Sequence, residues 1–389
     1  MQTLDFQSSL LSRKQLILSE LQSHGLRLME PDAGAASRKG GAGPTDHKAI
    51  TVLGTTVMVP VHTRTAGKSP YIATAPDPKG VSLLRDDLGA VVCEITFPPQ
   101  PKFYGFSTAE GVPYWKIAQL HSRDTLATTV LQTCIRYGNS ATKCQFCAIG
   151  ESLKAGRTIA KKTAAQLAEV AKVAQQLDGI RNVVMTTGTP ATPDRGAAVL
   201  AEAAAAIKAV TGLPIQAQCE PPADFTWFTT MREAGVDSLG MHLEAWDEAV
   251  RARIMPGKAE VNRAFYMEAF AAAVAVFGRG QVSTYLLAGL GDSVESLLDG
   301  ARQLIDIGVY PFIVPFVPVS GTPLADHPAP SSEFMRAVLQ PVGEWLTAAG
   351  MTSDTVKAGC AKCAACSTLS TFEKSRERAE AATASACAA

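Results

Sequence analysis

Neither charge is in excess. The 389 residues carry 36 Lys and Arg against 36 Asp and Glu. Nonspecific nucleic-acid binding needs a basic surface, so no nucleic-acid partner is expected. Long apolar runs are missing too. The longest, Ala269 to Phe277, falls well short of the roughly 18–20 residues that cross a bilayer. It reads as a core helix, and no membrane partner is expected. The N-terminus shows no charged, apolar, small-residue signal pattern. A cytoplasmic location is the resulting expectation. Thiols stay reduced in that compartment, so clustered cysteines read as metal ligands before disulfides.

What is present is apolar: 47% of residues are hydrophobic, enough for a large core. Residues 5–25, with Leu10, Leu11, Leu16, Ile17, Leu18 and Leu21, fit an amphipathic helix. "DAGAASRKGGAGPTD" (32–46) reads as a loop. "AITVLGTTVMVPV" and "AVVCEITFPP" are β-rich, so residues 1–125 are expected to form a helix and a β-containing extension. From 126 the pattern alternates. Strands are expected at 126–133, 182–188, 214–220, 236–244, 280–289 and 308–319. Helices are expected near 163–177, 195–210, 226–234, 246–274 (interrupted by "MPGK"), 293–306 and 332–349. Such alternation means an α/β fold with a parallel sheet. Six units over 126–350 fit a partial (β/α)6 TIM-like barrel, with an open doubly wound sheet as runner-up. Residues 351–389 form a Cys-rich C-terminal segment, expected to fray after Ser367.

Three of the nine cysteines lie in "LQTCIRYGNSATKCQFCAIG" (131–150). Cys134 follows the first strand; Cys144 and Cys147 form a C-x2-C around Phe146. Parallel barrels keep their sites at the C-terminal ends of the strands, which is where this loop falls. A structural zinc takes four protein ligands and a catalytic one three. A [4Fe–4S] cluster usually takes four cysteines, so three leave one iron free. A lone thiol beside a chance C-x2-C, or a zinc site borrowing a histidine, would also give this spacing.

A second group, "AGCAKCAACS", places Cys360, Cys363 and Cys366 at C-x2-C-x2-C. That is the start of the bacterial ferredoxin run without its later Cys-Pro. It reads as a second Fe–S site, with a three-cysteine zinc site and inert thiols as the other readings. Cys219 and Cys387 are the candidates for a fourth ligand. Cys93, in an apolar strand, reads as a small core residue.

"IQAQCE" sets Gln216, Gln218 and Glu220 on one face of a strand. Apolar neighbours on the other face suit helix packing, so the polar face is expected in the barrel lumen. There it forms either an internal hydrogen-bond network or the candidate catalytic contacts with substrate. Ser238, His242 and Glu244 make a similar stripe on the next strand. Arg136, Tyr137 and Asp194 fall near the mouth, Asp194 as an exposed charge. His121 and His327 read as loop or surface residues.

The three-cysteine loop, with Phe146 beside its last sulfur, resembles that of radical S-adenosylmethionine (SAM) enzymes, whose common spacing is C-x3-C-x2-C. "MTTGT" (185–189) resembles their Gly-rich segment at the methionine part of SAM, which implies Thr187, Gly188 and Thr189 there. "GMHLEAWDE" (240–248) resembles the ribose-holding segment, with His242 and Glu244. Arg263 resembles the arginine that pairs with the SAM carboxylate, with Lys258 as its competitor. "YLLAGLGDSVE" (285–295), with Gly289, resembles the segment packed on adenine, and "PFVPVSGTPLADH" (315–327) the sixth-strand end of biotin synthase-like members. With "FPPQPKFYGFSTAEGVPYWKIAQLHSRDTLATTVLQTCIRYG" and "IQAQCEPP", the chain over roughly 40–370 resembles the radical SAM family encoded beside nitrilases in bacterial gene clusters.

That resemblance implies a [4Fe–4S] cluster on Cys134, Cys144 and Cys147. It implies SAM cleavage to methionine and a 5′-deoxyadenosyl radical, and an electron donor such as flavodoxin or ferredoxin. It also implies a small-molecule substrate, in nitrogen or nitrile-related metabolism. Two other functions remain open at this point. One is a two-cluster electron carrier without catalysis. The other is a zinc-stabilised barrel acting as hydrolase or scaffold.

Overall fold

A computed structural model describes residues 2–29 and 46–373. Nearly all of the loop read over 32–46, and Cys387, lie outside these residues. The helix Gln2–His24 lays Ile17, Leu18 and Leu21 on Ile50, Val52, Val57, Leu84 and Ile95. These belong to a six-stranded sheet of Arg27–Leu28 (β1), His47–Val52 (β2), Thr55–Pro60 (β3), Ile72–Ala73 (β4), Val81–Arg85 (β5) and Val91–Thr96 (β6), in the order β1-β4-β5-β6-β2-β3. The β2–β3 hairpin turns on Leu53 and Gly54, both at positive φ (47° and 75°), as a two-residue turn of matching twist requires.

The second sheet holds Gln119–His121 (β7), Thr125–Thr129 (β8), Asn182–Thr186 (β9), Ile215–Gln218 (β10), Ser238–Gly240 (β11), Val282–Ala288 (β12) and Val309–Pro315 (β13). They are neighbours in chain order, and β8 to β13 are all parallel. A doubly wound sheet would reverse its strand order at a switch point, and this one does not. The fold is the partial barrel. Helices fall between the strands near the expected positions: 164–178, 197–211, 226–233, 248–254 with 256–259 and 263–277, and 294–306. Their starts carry side-chain caps, such as Thr163 with Gln166 in a capping box, Asn262 and Ser293.

The edge of this sheet and the C-terminal segment differ from expectation. β7 was not anticipated; it adds one antiparallel strand to the edge of β8. The chain after Ser367 does not fray at once. Thr368, Leu369 and Glu373 are buried, and the Glu373 carboxylate accepts from Tyr310 Oη, Ser353 N and Ser353 Oγ.

The segment from Met351 to Glu373 crosses the N-terminal ends of the barrel strands. Gly359 N donates to Asn182 Oδ1 (3.2 Å) at the start of β9. Gln281 Nε2, beside the start of β12, donates to Thr355 O (3.0 Å). Ala365 O accepts from Met58 N (2.8 Å) and Gln22 Nε2 (3.2 Å), tying the same segment to the N-terminal sheet and helix. No helix among the described residues is long and apolar enough to cross a membrane.

Candidate active site

A cavity of about 400 Å³ runs through the barrel, and both cysteine groups line it. They stand at opposite ends. Cys134 lies past the C-terminal end of β8, whereas the Cys363 thiol bonds Thr125, the first residue of β8. Five strand residues span roughly 15 Å, so the two groups are separate sites. Among the described residues no three His, Cys, Asp or Glu side chains are placed to hold a metal ion.

The first cysteine loop is stitched to the end of β9. Gly188 N donates to Leu131 O (2.8 Å) and Ile135 N to Thr189 O (3.0 Å). Gly188 is needed for that approach, because a Cβ there would collide with the Thr133 carbonyl oxygen. Gly188→Ala should therefore force the two segments apart. Overpacking of this kind costs about 1–3 kcal/mol; a lowered melting temperature together with poorer iron loading would show it, and neither change would refute it. On the other side Gln145 N donates to Ile254 O (2.9 Å) and Gln145 O accepts from Leu324 N (3.3 Å). Phe146 closes an apolar wall with Met255, Leu290 and Phe316. Burial pushes Cys144 up to about 12 and Cys147 up to about 11. Both stay as thiols until a metal takes them as thiolates and releases their protons.

The polar wall of the mouth comes from β10, β11 and the turn at Met255–Lys258. The Glu220 carboxylate accepts from Arg136 Nε (3.1 Å), Arg136 Nη2 (2.9 Å) and Thr189 Oγ1 (2.8 Å). Burial opposes its charge, but Lys258 and Arg136 outweigh that and hold the carboxyl below its ordinary range. Lys258 Nζ stands 3.0 Å from Glu244 Oε1, both side chains 11% exposed. Burial works against the Lys258 charge as well, yet Glu244 prevails and raises its pKa well above the ordinary value.

His242 is stacked on Tyr285, with ring centroids 4.1 Å apart. Its Nδ1 accepts from Tyr285 N (3.2 Å), so the ring hydrogen is assigned to Nε2. That Nε2 is buried on the cavity side without a partner among the described residues. Burial, and then the Lys258 charge, push the ring down to about 3. His242 is thus a neutral donor at any ordinary pH, with no acceptor among the described residues. Gln132 Oε1, also on the cavity wall, is an orphaned acceptor.

Phe146, Thr187, Gly188, Thr189, Gln218, Glu220, His242 and Glu244 all line the cavity. Three other expected site residues do not. Arg263 lies over the Trp246 ring (4.5 Å) and donates to Trp246 O (2.8 Å), whereas Lys258 and Arg136 line the cavity. Gly289 packs against Pro330 at a φ of 102°. Gln216 is fully buried: its Nε2 donates to Ser283 Oγ (3.1 Å), and its Oε1 accepts from Gln218 Nε2 (2.7 Å) and Cys360 N (3.0 Å). It anchors the C-terminal segment. Asp194 is not a free charge either, since it accepts from Gly196 N and Ala198 N at the head of helix 197–211. Tyr137 Oη donates to Glu151 Oε1 (3.0 Å) beside the cysteine loop.

His121, read from the sequence as a loop or surface residue, is the largest correction. It ends β7, is 5% exposed, and sits between the Cys363 and Cys366 sulfurs. Only the short β-run "QLH" next to a turn could have signalled it.

Comparison with known proteins bears on the mouth. The family model of the radical SAM superfamily matches residues 137–304. Cys144 and Cys147 lie inside the matched span; Cys134 and the C-terminal cysteines lie outside it. The chain is 27% identical over 226 residues to a bacteriochlorophyllide c C-7(1)-hydroxylase of Chlorobaculum limnaeum, covering 53% of this chain and 56% of the relative. It thus spans little more than half of that curated relative.

Two solved structures resemble the chain more distantly. Methylornithine synthase shares 20% identity at a TM-score of 0.41, over 54% of this chain and 61% of that one. A radical SAM methyltransferase from Sphaerobacter thermophilus shares 17% identity at a TM-score of 0.44, over 75% and 76%. The radical SAM family implies a [4Fe–4S] cluster and SAM. The donor chemistry at the mouth suits both, since Cys134, Cys144 and Cys147, the Lys258–Glu244 ion pair and His242 line one cavity.

Proposed function

We propose that the chain is a radical SAM enzyme that opens SAM reductively at the mouth of the barrel and directs the radical onto a small polar molecule in the cavity. The observation that carries this reading is that Cys134, Cys144 and Cys147 line the same cavity as His242, Glu244 and Lys258. A cluster bound there supplies the electron that cleaves SAM. The chain's own groups bind and orient. Cys134, Cys144 and Cys147 hold the cluster through three thiolates. Lys258 offers a fixed positive charge to the SAM carboxylate, the part first assigned to Arg263. His242 Nε2–H and the Glu244 carboxylate offer a donor and an acceptor to the ribose hydroxyls. Thr187, Gly188 and Thr189 border the methionine part, and Phe146 keeps water from the cluster side.

Gln218 at the end of β10 and Glu220 two residues beyond it line the cavity and are the polar groups assigned to a substrate. The substrate is a small polar metabolite, and the resemblance to the nitrilase-neighbour family favours one from nitrogen or nitrile metabolism. A flavodoxin or ferredoxin fits as electron donor. Cys360, Cys363 and Cys366 hold a second Fe–S cluster at the far end of the same cavity, on a C-x2-C-x2-C run suited to one.

The test is anaerobic reconstitution with iron and sulfide, reduction, and measurement of 5′-deoxyadenosine from SAM. Zinc without sulfide, or iron without deoxyadenosine, would overturn the reading in favour of the zinc barrel or the electron carrier. Replacing Cys360, Cys363 and Cys366 by Ala together should lower iron by about one cluster's worth, with the mouth cluster retained. Unchanged iron and sulfide in that variant would remove the second cluster.

A further inference from the structure

The C-terminal cysteines sit on a backbone that is fixed from several sides. Gly359 takes a φ of 90°, and a Cβ there would collide with the Gln216 side chain. Ala364 holds a left-handed φ of 57° between Cys363 and Cys366. Cys360 N is bound by Gln216 and Ala365 O by Met58 and Gln22. Three sulfurs from one short loop can reach three corners of a cluster. The fourth donor has to come from another element, and β7 supplies a side chain there. His121 Nδ1 stands 3.2 Å from Cys363 Sγ and Nε2 3.4 Å from Cys366 Sγ. Its strand partner Thr125 bonds the Cys363 thiol.

We propose that His121 is the fourth protein donor of this site, which makes it a Cys3His iron–sulfur cluster at the closed end of the barrel. The proposal rests on the reading of that site as a second cluster. Cys219, the other described candidate, has Glu220, Asp194 and Arg195 as its charged neighbours, at the mouth end of β10. Gln218 Nε2 reaches Cys360 Sγ (3.1 Å), but an amide N–H donates a hydrogen bond and does not ligate iron. Imidazole is neutral where a thiolate is anionic, so a cluster with one histidine carries one negative charge fewer and a higher potential. Four protein donors also leave no open iron, so this cluster does not bind the substrate; the cavity between the two sites does.

The test uses the full chain with Cys134, Cys144 and Cys147 all changed to Ala, so that the C-terminal cluster alone reports. After anaerobic reconstitution and reduction, pulsed EPR should show a strongly coupled nitrogen that changes isotope when histidine is labelled with ¹⁵N. His121→Cys should keep the iron and lose that coupling, and His121→Ala should lose the coupling whether or not iron stays. If the parent holds iron and sulfide without strong nitrogen coupling, or if the coupling survives in His121→Cys, His121 is no ligand and the proposal fails alone. If the parent holds no iron, or zinc instead, the second-cluster reading fails and the proposal with it. Should His121→Ala not fold, the parent and the folded His121→Cys protein decide between these outcomes.

Discussion

Cys144→Ala protein is expected to lose reductive SAM cleavage by roughly three orders of magnitude or more, a barrier change of about 4 kcal/mol or greater. The loop offers three thiols, and Cys147 N donates to Cys144 O (3.1 Å), so the two sulfurs of the C-x2-C are set by one turn. With Cys144 gone, two thiolates remain. No described cysteine can take its place, because Cys360, Cys363 and Cys366 lie at the other end of the cavity and Cys219 sits just past β10 among Glu220, Asp194 and Arg195. Deoxyadenosine formation under dithionite is the measurement. Iron should fall by about one cluster and not to zero, since the C-terminal site keeps its own thiols. Cleavage at the wild-type rate would remove Cys144 from the ligand set, and loss of all iron would mean that the two sites load as one.

How far the sequence could be read follows from the range of the interactions involved. Each parallel barrel strand was visible as a short β-rich run between Ala-rich helical stretches. The run 236–244 was read as one strand, yet only Ser238–Gly240 is one. The regular strand ends at Gly240, and the chain returns to β12 only through a single bridge at Glu244, whose φ is 69°. The first three cysteines were legible because a spacing is a local property.

His121 was not, because β7 is three residues long and its importance comes from a loop about 240 positions away. Gln216 was correctly placed in the barrel interior, but its bonds go to Cys360 and Ser283, partners that alternation cannot reveal. Arg263 and Lys258 could not be ranked by spacing. Pro256 opens a single helical turn that carries Lys258 to Glu244, whereas Arg263 begins the next helix and is taken by Trp246.

Lys258→Met is expected to destabilise even the cluster-free protein by about 3–5 kcal/mol, because removing one partner of a buried ion pair leaves the other uncompensated. Lys258 and Glu244 are each 11% exposed, and Lys258 Nζ is the partner of Glu244 Oε1. Glu220 is less affected, since Arg136 still binds both of its oxygens. Glu244 cannot swing out to water cheaply. Its backbone is clamped to β12 on both sides, N to Tyr285 O (2.9 Å) and O to Leu287 N (2.7 Å), in a left-handed conformation that itself costs on the order of 1–3 kcal/mol. Adding Glu244→Gln removes the stranded charge without changing the backbone, so the double variant should recover most of the loss. Urea unfolding of the metal-free single and double variants at neutral pH checks this. A single variant within about 1 kcal/mol of the parent, the range of exposed pairs, would show that water reaches the pair. A double variant no more stable than the single one would show that Lys258 acts through packing of its alkyl chain and not through its charge.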